Sequence, residues 1–154
     1  MTRYGFMDDK EAVLFFGTAN ASRSQMAEGL LRTSAGDRFL VLSAGLNPQP
    51  IDPMALRVMD EVGIDLRGHR PKSVYHFYRR DRFDYVISVC ARSHLRCAEL
   101  FADVKHRELW PIDDPAAVEG GELKRLDAFR RTRDRLDSRI RKWLDKIVAQ
   151  RSRP

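Results

Sequence analysis

The reading of the fold turns on AVLFFGTANASRSQMAEGLLR, residues 12–32. Five consecutive apolar side chains, residues 12–16, suit a strand covered on both faces. A loop of small and polar residues follows, and then a run of helical composition over residues 24–34, weakened at Gly29. Strand, small-residue loop and helix in that order place the loop at the carboxyl end of a strand and at the positive end of a helix.

The rest of the chain repeats the alternation. Residues 39–43 read as a second strand, and AGLNPQPIDP after it is full of turn residues. Residues 54–62 predict a short helix with Leu56, Met59 and Val62 inward and Gly63 at the stop. A short helix is expected over 73–80, a third strand over 85–90, a helix over 93–102 and a fourth strand over 108–112. The last helix should begin near Gly121 or Glu122, with Leu123, Leu126, Phe129, Leu136, Ile140, Trp143, Leu144 and Ile147 as its apolar stripe. This pattern predicts an α/β fold: one four-stranded parallel sheet with helices on both faces. The domain would take in residues 1–154, with its core over about 12–148.

Composition bounds the function. The 154 residues are 43% hydrophobic and 32% charged, the profile of a soluble globular protein. No apolar block approaches a membrane span, and the acidic start of MTRYGFMDDKEA does not read as a secretion signal. Two cysteines fit a reducing compartment better than a disulfide scaffold, so a cytoplasmic location is expected. The net charge of +6 comes from the C-terminus, where residues 122–154 hold 12 Lys and Arg against 5 Asp and Glu. Arg and Asp alternate there, as around Asp127 and Arg131, which suits i, i+4 pairs on a solvated face. Nucleic acid or an acidic protein remains an alternative partner for this helix. No RNA-binding aromatic motif or helix-turn-helix pattern supports the nucleic acid.

In open α/β sheets, ligands sit outside the carboxyl ends of the strands. Three segments share that rim: residues 17–23, the segment after Val89, and residues 113–115. In the first, Gly17, Thr18, Ala19, Asn20, Ala21 and Ser22 are small enough for successive backbone N–H groups to turn inward. Arg23 adds a guanidinium fork and Ser24 opens the helix, so the loop suits a tetrahedral anion. A tight strand-to-helix turn would call for the same small residues. No Gly-Lys-Ser/Thr follows, so this is not the nucleotide-binding P-loop.

The segment VLFFGTANASRSQMAEGLLR resembles the start of the low-molecular-weight protein tyrosine phosphatase family, and especially its thioredoxin-coupled arsenate reductase branch. The resemblance continues through FLVLSAG, NPQPIDPMALRVMDEVGIDLRGHRPKS, FDYVISVC and LWPIDDPAAVEG, and covers roughly residues 12–147. It implies a flavodoxin-like four-stranded sheet, in agreement with the alternation above. Asn20, Arg23 and Ser24 stand where the family has them, and Arg23 takes the transition-state position. The family's nucleophilic Cys maps to Gly17, which can form no thiol adduct. Thr18 and Ser22 carry hydroxyls, but no base stands beside either in the sequence. The resemblance therefore implies a protein that binds arsenate, phosphate or sulfate through residues 17–24 while lacking the first catalytic step. The alternative is an active reductase or phosphatase, with a role in arsenic resistance, that uses Cys90, Cys97 or a partner's thiol.

Cys90 and Cys97 match the pair that, in the arsenate reductases, ends as a disulfide reduced by thioredoxin. Residues seven apart in a helix lie about 10.5 Å apart along its axis, whereas a disulfide needs Cα atoms within about 7 Å. The reduced segment should be helical and the oxidised one unwound. Buried small hydrophobes would look the same in sequence. A third reading puts Cys90, His94 and Cys97 on one helical face as ligands for a soft metal, with no fourth ligand visible. Asp114, beside Pro115, takes the family's general-acid position, although an Asp-Pro turn alone has the same form. Asn20, Glu28 and Ser43 match a potassium site of some arsenate reductases. Lys72 stands in place of that site's Asp and would neutralise Glu28, so no potassium, metal or other cofactor is expected. His69 and His76 carry no motif and read as packing or surface residues.

Overall fold

The computed structural model describes residues 9–78 and 82–153. Most of the N-terminal segment read above, residues 1–8, and the end of the helix expected over 73–80 lie outside them. The first strand, β1, spans Glu11–Gly17, and α1 follows at Arg23–Ala35. Then come β2 (Phe39–Gly45), α2 (Pro53–Asp60), α3 (Val74–Phe77), β3 (Tyr85–Ser88) and α4 (Ala91–Leu100). The chain ends with β4 (His106–Leu109), a single 3₁₀ turn at Pro115–Ala117 and the long helix α5 (Glu122–Arg151).

All strands pair in parallel, in the order β2-β1-β3-β4. The side-chain period of two sends Val13 and Phe15 to one face of β1 and Leu14 and Phe16 to the other. The first pair joins a core formed with α1, α2 and α5, through Met26, Leu31, Met59, Phe129, Leu136 and Trp143. The second joins a smaller core with Val74, Cys97, Leu100 and Phe101. Both faces of β1 are therefore buried, which is why its sequence is an unbroken apolar run. Burying a side chain such as Phe15 contributes about 1.5–3 kcal/mol.

Gly29 weakens α1 locally but lets the chain after α2 approach closely. A Cβ there would stand 3.0 Å from Leu66 Cδ2 and 3.1 Å from Ile64 Cγ2. Since β2 lies on one side of β1 and β3 on the other, the chain switches direction at the carboxyl end of β1, and residues 17–22 sit at that point.

Several expectations need correction. The fourth strand occupies His106–Leu109 rather than 108–112, and Trp110 and Ile112 are buried beyond its end. In α2 the buried residues are Ala55, Val58 and Met59; Leu56 is only partly buried, and Val62 lies past the helix and is 47% exposed. Leu123, at the first turn of α5, is 76% exposed because it lies about 120–140° around the helix from Phe129 and Leu136, and Leu144 is half-buried. Asp127 pairs with Arg130 at 3.0 Å, not with Arg131. Cys90 does not close β3; it is the N-cap of α4.

Candidate functional site

The loop between β1 and α1 is held open from outside. The carbonyls of Gly17, Thr18, Ala19 and Ala21 accept from the backbone N–H groups of Leu46, Asn47, Gln49 and Asp52 at 2.8–3.2 Å. With the carbonyls drawn outward, the N–H groups of residues 18–24 face the other way. Among the described residues they donate to no protein group. Ser22 caps α1 without a side-chain hydrogen bond, so the positive end of that helix is also uncovered. Gly45 makes the arrangement possible, because a Cβ there would sit 2.7 Å from the Thr18 carbonyl oxygen.

Asn20 sets the turn. Its φ of 51° is left-handed, a region that asparagine tolerates better than most residues. Its amide nitrogen donates to Ser24 Oγ and Ser43 Oγ, both at 2.9 Å. Its amide oxygen accepts from Gln25 Nε2 at 2.9 Å and from the Lys72 backbone at 2.8 Å. Ser43 in turn donates to Glu28 Oε1 at 2.8 Å.

Glu28 is 2% exposed and sits among basic side chains. His69 Nδ1 lies 2.9 Å from it, Arg32 Nη2 3.2 Å and Lys72 Nζ 3.5 Å. Burial alone would push its carboxyl up. The hydrogen bond from His69, the Lys72 and Arg32 charges and the Ser43 hydroxyl outweigh burial and hold the group below the usual carboxylate range. The Lys72 ammonium thus stands beside Glu28, as the sequence led one to expect. His69 is not a bystander: it also faces Gln25 Oε1 at 3.2 Å. His76, by contrast, packs edge-on against the Phe77 ring.

The loop lines a cavity of about 160 Å³ whose walls also include Asp52, Val89, Asp114 and Ala116. Residues 17–23 and Asp114 of the expected rim segments line it, and the segment after Val89 reaches it only at Val89 itself. The Arg23 guanidinium is fixed from behind, donating to the Ile112 carbonyl at 2.8 Å, with Asp114 Oδ2 at 3.9 Å. Asp114 accepts the Ala116 N–H at 3.0 Å and starts the 3₁₀ turn. Position 17 lies on the cavity wall. A Cβ there would meet Ser24 Oγ at 3.1 Å and Val89 Cγ2 at 3.5 Å, so a side chain fits after a small shift of Ser24.

Cys90 adjoins this site and Cys97 does not. The Cys90 sulfur lies 3.3 Å from Thr18 Oγ1 and 3.3 Å from Ser93 Oγ. Burial pushes its thiol up, but hydrogen bonding with Ser93 and Thr18 and the charge of Arg23 bring it below its ordinary value. Cys97 is buried in the smaller core, and burial raises its thiol. Both thiols are free, and α4 is helical from Ala91 through Cys97. Among the described residues no three His, Cys, Asp or Glu side chains gather as a metal-ligand set, Cys90, His94 and Cys97 included. No helix among them is long and apolar enough to cross a membrane.

Asp52 went unnoticed in the sequence, although it N-caps α2 by accepting the Met54 N–H at 2.9 Å. An Asp-Pro pair before an apolar run is the signal that could have found the cap; its place on the cavity wall depends on the Ala21–Asp52 bond.

Residues 12–153 match the family of low molecular weight phosphotyrosine protein phosphatases. An arsenate reductase of Shouchella clausii is 36% identical over 136 residues, covering 88% of this chain and 96% of its own. A solved arsenate reductase in its phosphate-binding state superposes with a TM-score of 0.75 at 30% identity, over 89% of this chain and 98% of the other. A tyrosine phosphatase of Erwinia amylovora, at 22% identity and TM-score 0.74 over 92% and 95% of the two chains, shares the fold. From the sheet order, the loop and these likenesses together, the chain belongs to the low-molecular-weight phosphotyrosine protein phosphatase family, among relatives that are arsenate reductases.

Proposed function

We propose that residues 17–24 bind a tetrahedral oxyanion, arsenate, phosphate or sulfate, and that the chain does not perform its family's first chemical step. What carries the reading is the set of undonated N–H groups of residues 18–24, converging with a guanidinium that the Ile112 carbonyl holds in place. Such donors suit an anion better than any neutral ligand. The solved relative in a phosphate-binding state has the same fold and lends support. In this reading Gly17 occupies the nucleophile's position. It supplies no sulfur to attack the anion, and Asp114, in the acid's position, has no adduct to serve.

The test is thermal unfolding against phosphate or arsenate. Anion at about 100 times its Kd should add about 2.7 kcal/mol, a rise in Tm of roughly 5–10 °C for a domain of this size. Arg23→Ala should remove most of that rise. No stabilisation of the parent chain by any of the three anions would end the proposal.

A second reading keeps the enzyme active through Cys90, whose lowered thiol touches Thr18 of the loop. In that case the protein would be a cytoplasmic arsenate reductase serving arsenic resistance, with thioredoxin as the reductant of a Cys90–Cys97 disulfide. Arsenate reduction by the parent chain, abolished by Cys90→Ser, would establish this reading over the first.

A further inference from the structure

Helix α5 carries more positive charge than its own carboxylates use, and the surplus is gathered on one side. Arg130 is paired with Glu61 and Asp127, Arg133 with Glu61 and Asp134, Arg141 with Asp137 and Arg151 with Glu11. Arg131, Arg135, Arg139, Lys142 and Lys146 are exposed and have no ion-pair partner among the described residues. They follow one another at steps of four, four, three and four. At ~100° and ~1.5 Å per residue these five cations fall within a sector of about 80° and extend over about 22 Å. No Asp or Glu lies inside that sector.

The stripe borders a groove of about 290 Å³ between α5 and the segment after β4, lined by Trp110, Pro111, Ile112, Arg135, Arg139 and Lys142, with Ser138. The Arg139 guanidinium lies 5.4 Å from the centre of the Trp110 ring, which holds this exposed cation at the groove. The far wall ends at Ile112, whose carbonyl holds Arg23. The groove therefore runs along the outer side of the anion-binding loop's support.

We propose that this stripe and groove form a docking surface for an acidic segment of another protein. The inference does not depend on the loop at residues 17–24 being occupied. An acidic helix with Glu at i, i+3 and i+4 presents carboxylates at steps of about 4.5 and 6 Å, the same repeat as the cations of α5. Duplex nucleic acid fits less well. Asp127, Asp134 and Asp145 flank the stripe on the side away from the core, and a helix entering a major groove would set them against phosphates. Single strands find no stacking platform here, since Trp110, Phe129 and Trp143 are all buried.

The experiment measures fluorescence anisotropy of a labelled helical peptide of about 16 residues, the length of the stripe, with Glu at every third and fourth position. A duplex DNA of equal net charge is measured beside it. The intact chain should bind the peptide more tightly than the duplex, and weaken as salt rises from about 50 to 200 mM. The triple variant R135Q/R139Q/K142Q should lose about tenfold in affinity at unchanged circular dichroism. R135K/R139K should stay within about threefold of the parent, because charge rather than guanidinium geometry is read. Arg141→Gln, on the paired flank, should change little. No binding of the peptide, equal affinity in the triple variant, or tighter binding of the duplex would each overturn the proposal.

Discussion

Gly17→Cys puts a thiol on the cavity wall and tests whether the loop is arranged for a thiolate. Glycine at 17 is not in the left-handed region, so an L side chain meets no backbone penalty. The added Cβ would lie 3.1 Å from Ser24 Oγ, which must yield by a few tenths of an ångström while keeping the Asn20 amide at 2.9 Å. Weakening that one bond costs about 0.5–1.5 kcal/mol, and replacing glycine at a strand end returns about 0.5–1 kcal/mol. The variant should therefore melt within a few degrees of the parent. A free thiol, with a pKa near 8.5, is only about 3% ionised at pH 7. Thiols at helix N-termini beside Arg fall to about 3.5–7.5, so a value near 6 would make about 90% thiolate. The new Cys has both features, the uncapped start of α1 and Arg23. The assay is release of nitrophenolate from p-nitrophenyl phosphate. Turnover should appear in Gly17→Cys, be absent in the parent, vanish when Arg23→Ala is added, and fall about 10²–10⁴-fold when Asp114→Asn is added. The reasoning is refuted if Gly17→Cys binds phosphate as the parent does, yet hydrolyses nothing and alkylates at the rate of an ordinary thiol.

Three further outcomes follow from charges and thiols. Glu28→Gln should destabilise the protein by about 2–4 kcal/mol in urea unfolding, since it leaves Lys72 and His69 without their buried anion. It should also reduce the phosphate-dependent rise in Tm. Because the folded pKa of Glu28 is lowered, its contribution is complete above the unfolded value and is lost as pH falls through the folded one; the variant should accordingly lose less stability than the parent in acid. Glu61, hydrogen-bonded by Arg130 and then by Arg133, should titrate at about 2 in a carboxyl-carbon NMR series, with Arg130→Gln moving it back toward the ordinary range. Iodoacetamide followed by mass spectrometry should modify Cys90 well before Cys97, because one thiol is lowered and the other raised; the reverse order would contradict the pKa directions.

The sequence made the sheet readable because burial on both sides leaves a strand no polar positions. Residues 12–16 satisfy that condition and residues 85–89 do so except at the buried Ser88; both fall in or at the end of central strands. Strand β4 does not: it lies at the edge, pairs only with β3, and shows His106 and Arg107 to solvent. The apolar residues that suggested a strand over 108–112 instead bury themselves after the strand has ended. Trp110 packs against Phe15 and Trp143, and Ile112 joins the same core. Spacing by threes likewise counts Leu123 as a core residue, yet successive steps of three drift around the helix and leave it on another face, while Val62 lies past the end of α2. The loop at residues 17–24 was legible for a local reason. Small residues followed by Arg at a helix start suit either a tight turn or an anion, and the strand order places them on the rim where ligands bind in such sheets.

What the sequence could not disclose is how that loop is kept in shape. The resemblance brings Lys72 to Glu28, but nothing local marks His69, or the Lys72 backbone N–H on Asn20, as belonging to the loop, since both reach it only through the path of the chain after α2. Yet they complete one connected set. Lys72 bonds the Asn20 oxygen through its backbone N–H and faces Glu28 with its ammonium. Glu28 accepts from Ser43, and Ser43 accepts from the Asn20 amide. Each end of the Asn20 side chain is thus tied to the buried Glu28 group through a different neighbour. A left-handed non-glycine residue costs about 1–3 kcal/mol and persists only where its surroundings over-determine it. The carboxylate of Glu28, although it lines no part of the cavity, is what over-determines it here. No bond in this set passes through the side chain at position 17; what stands there reaches Asn20 only through Ser24 Oγ, which the Asn20 amide also contacts. In the proposed reading, this network is what would hold residues 17–24 in shape as an anion cradle with no reactive side chain at position 17.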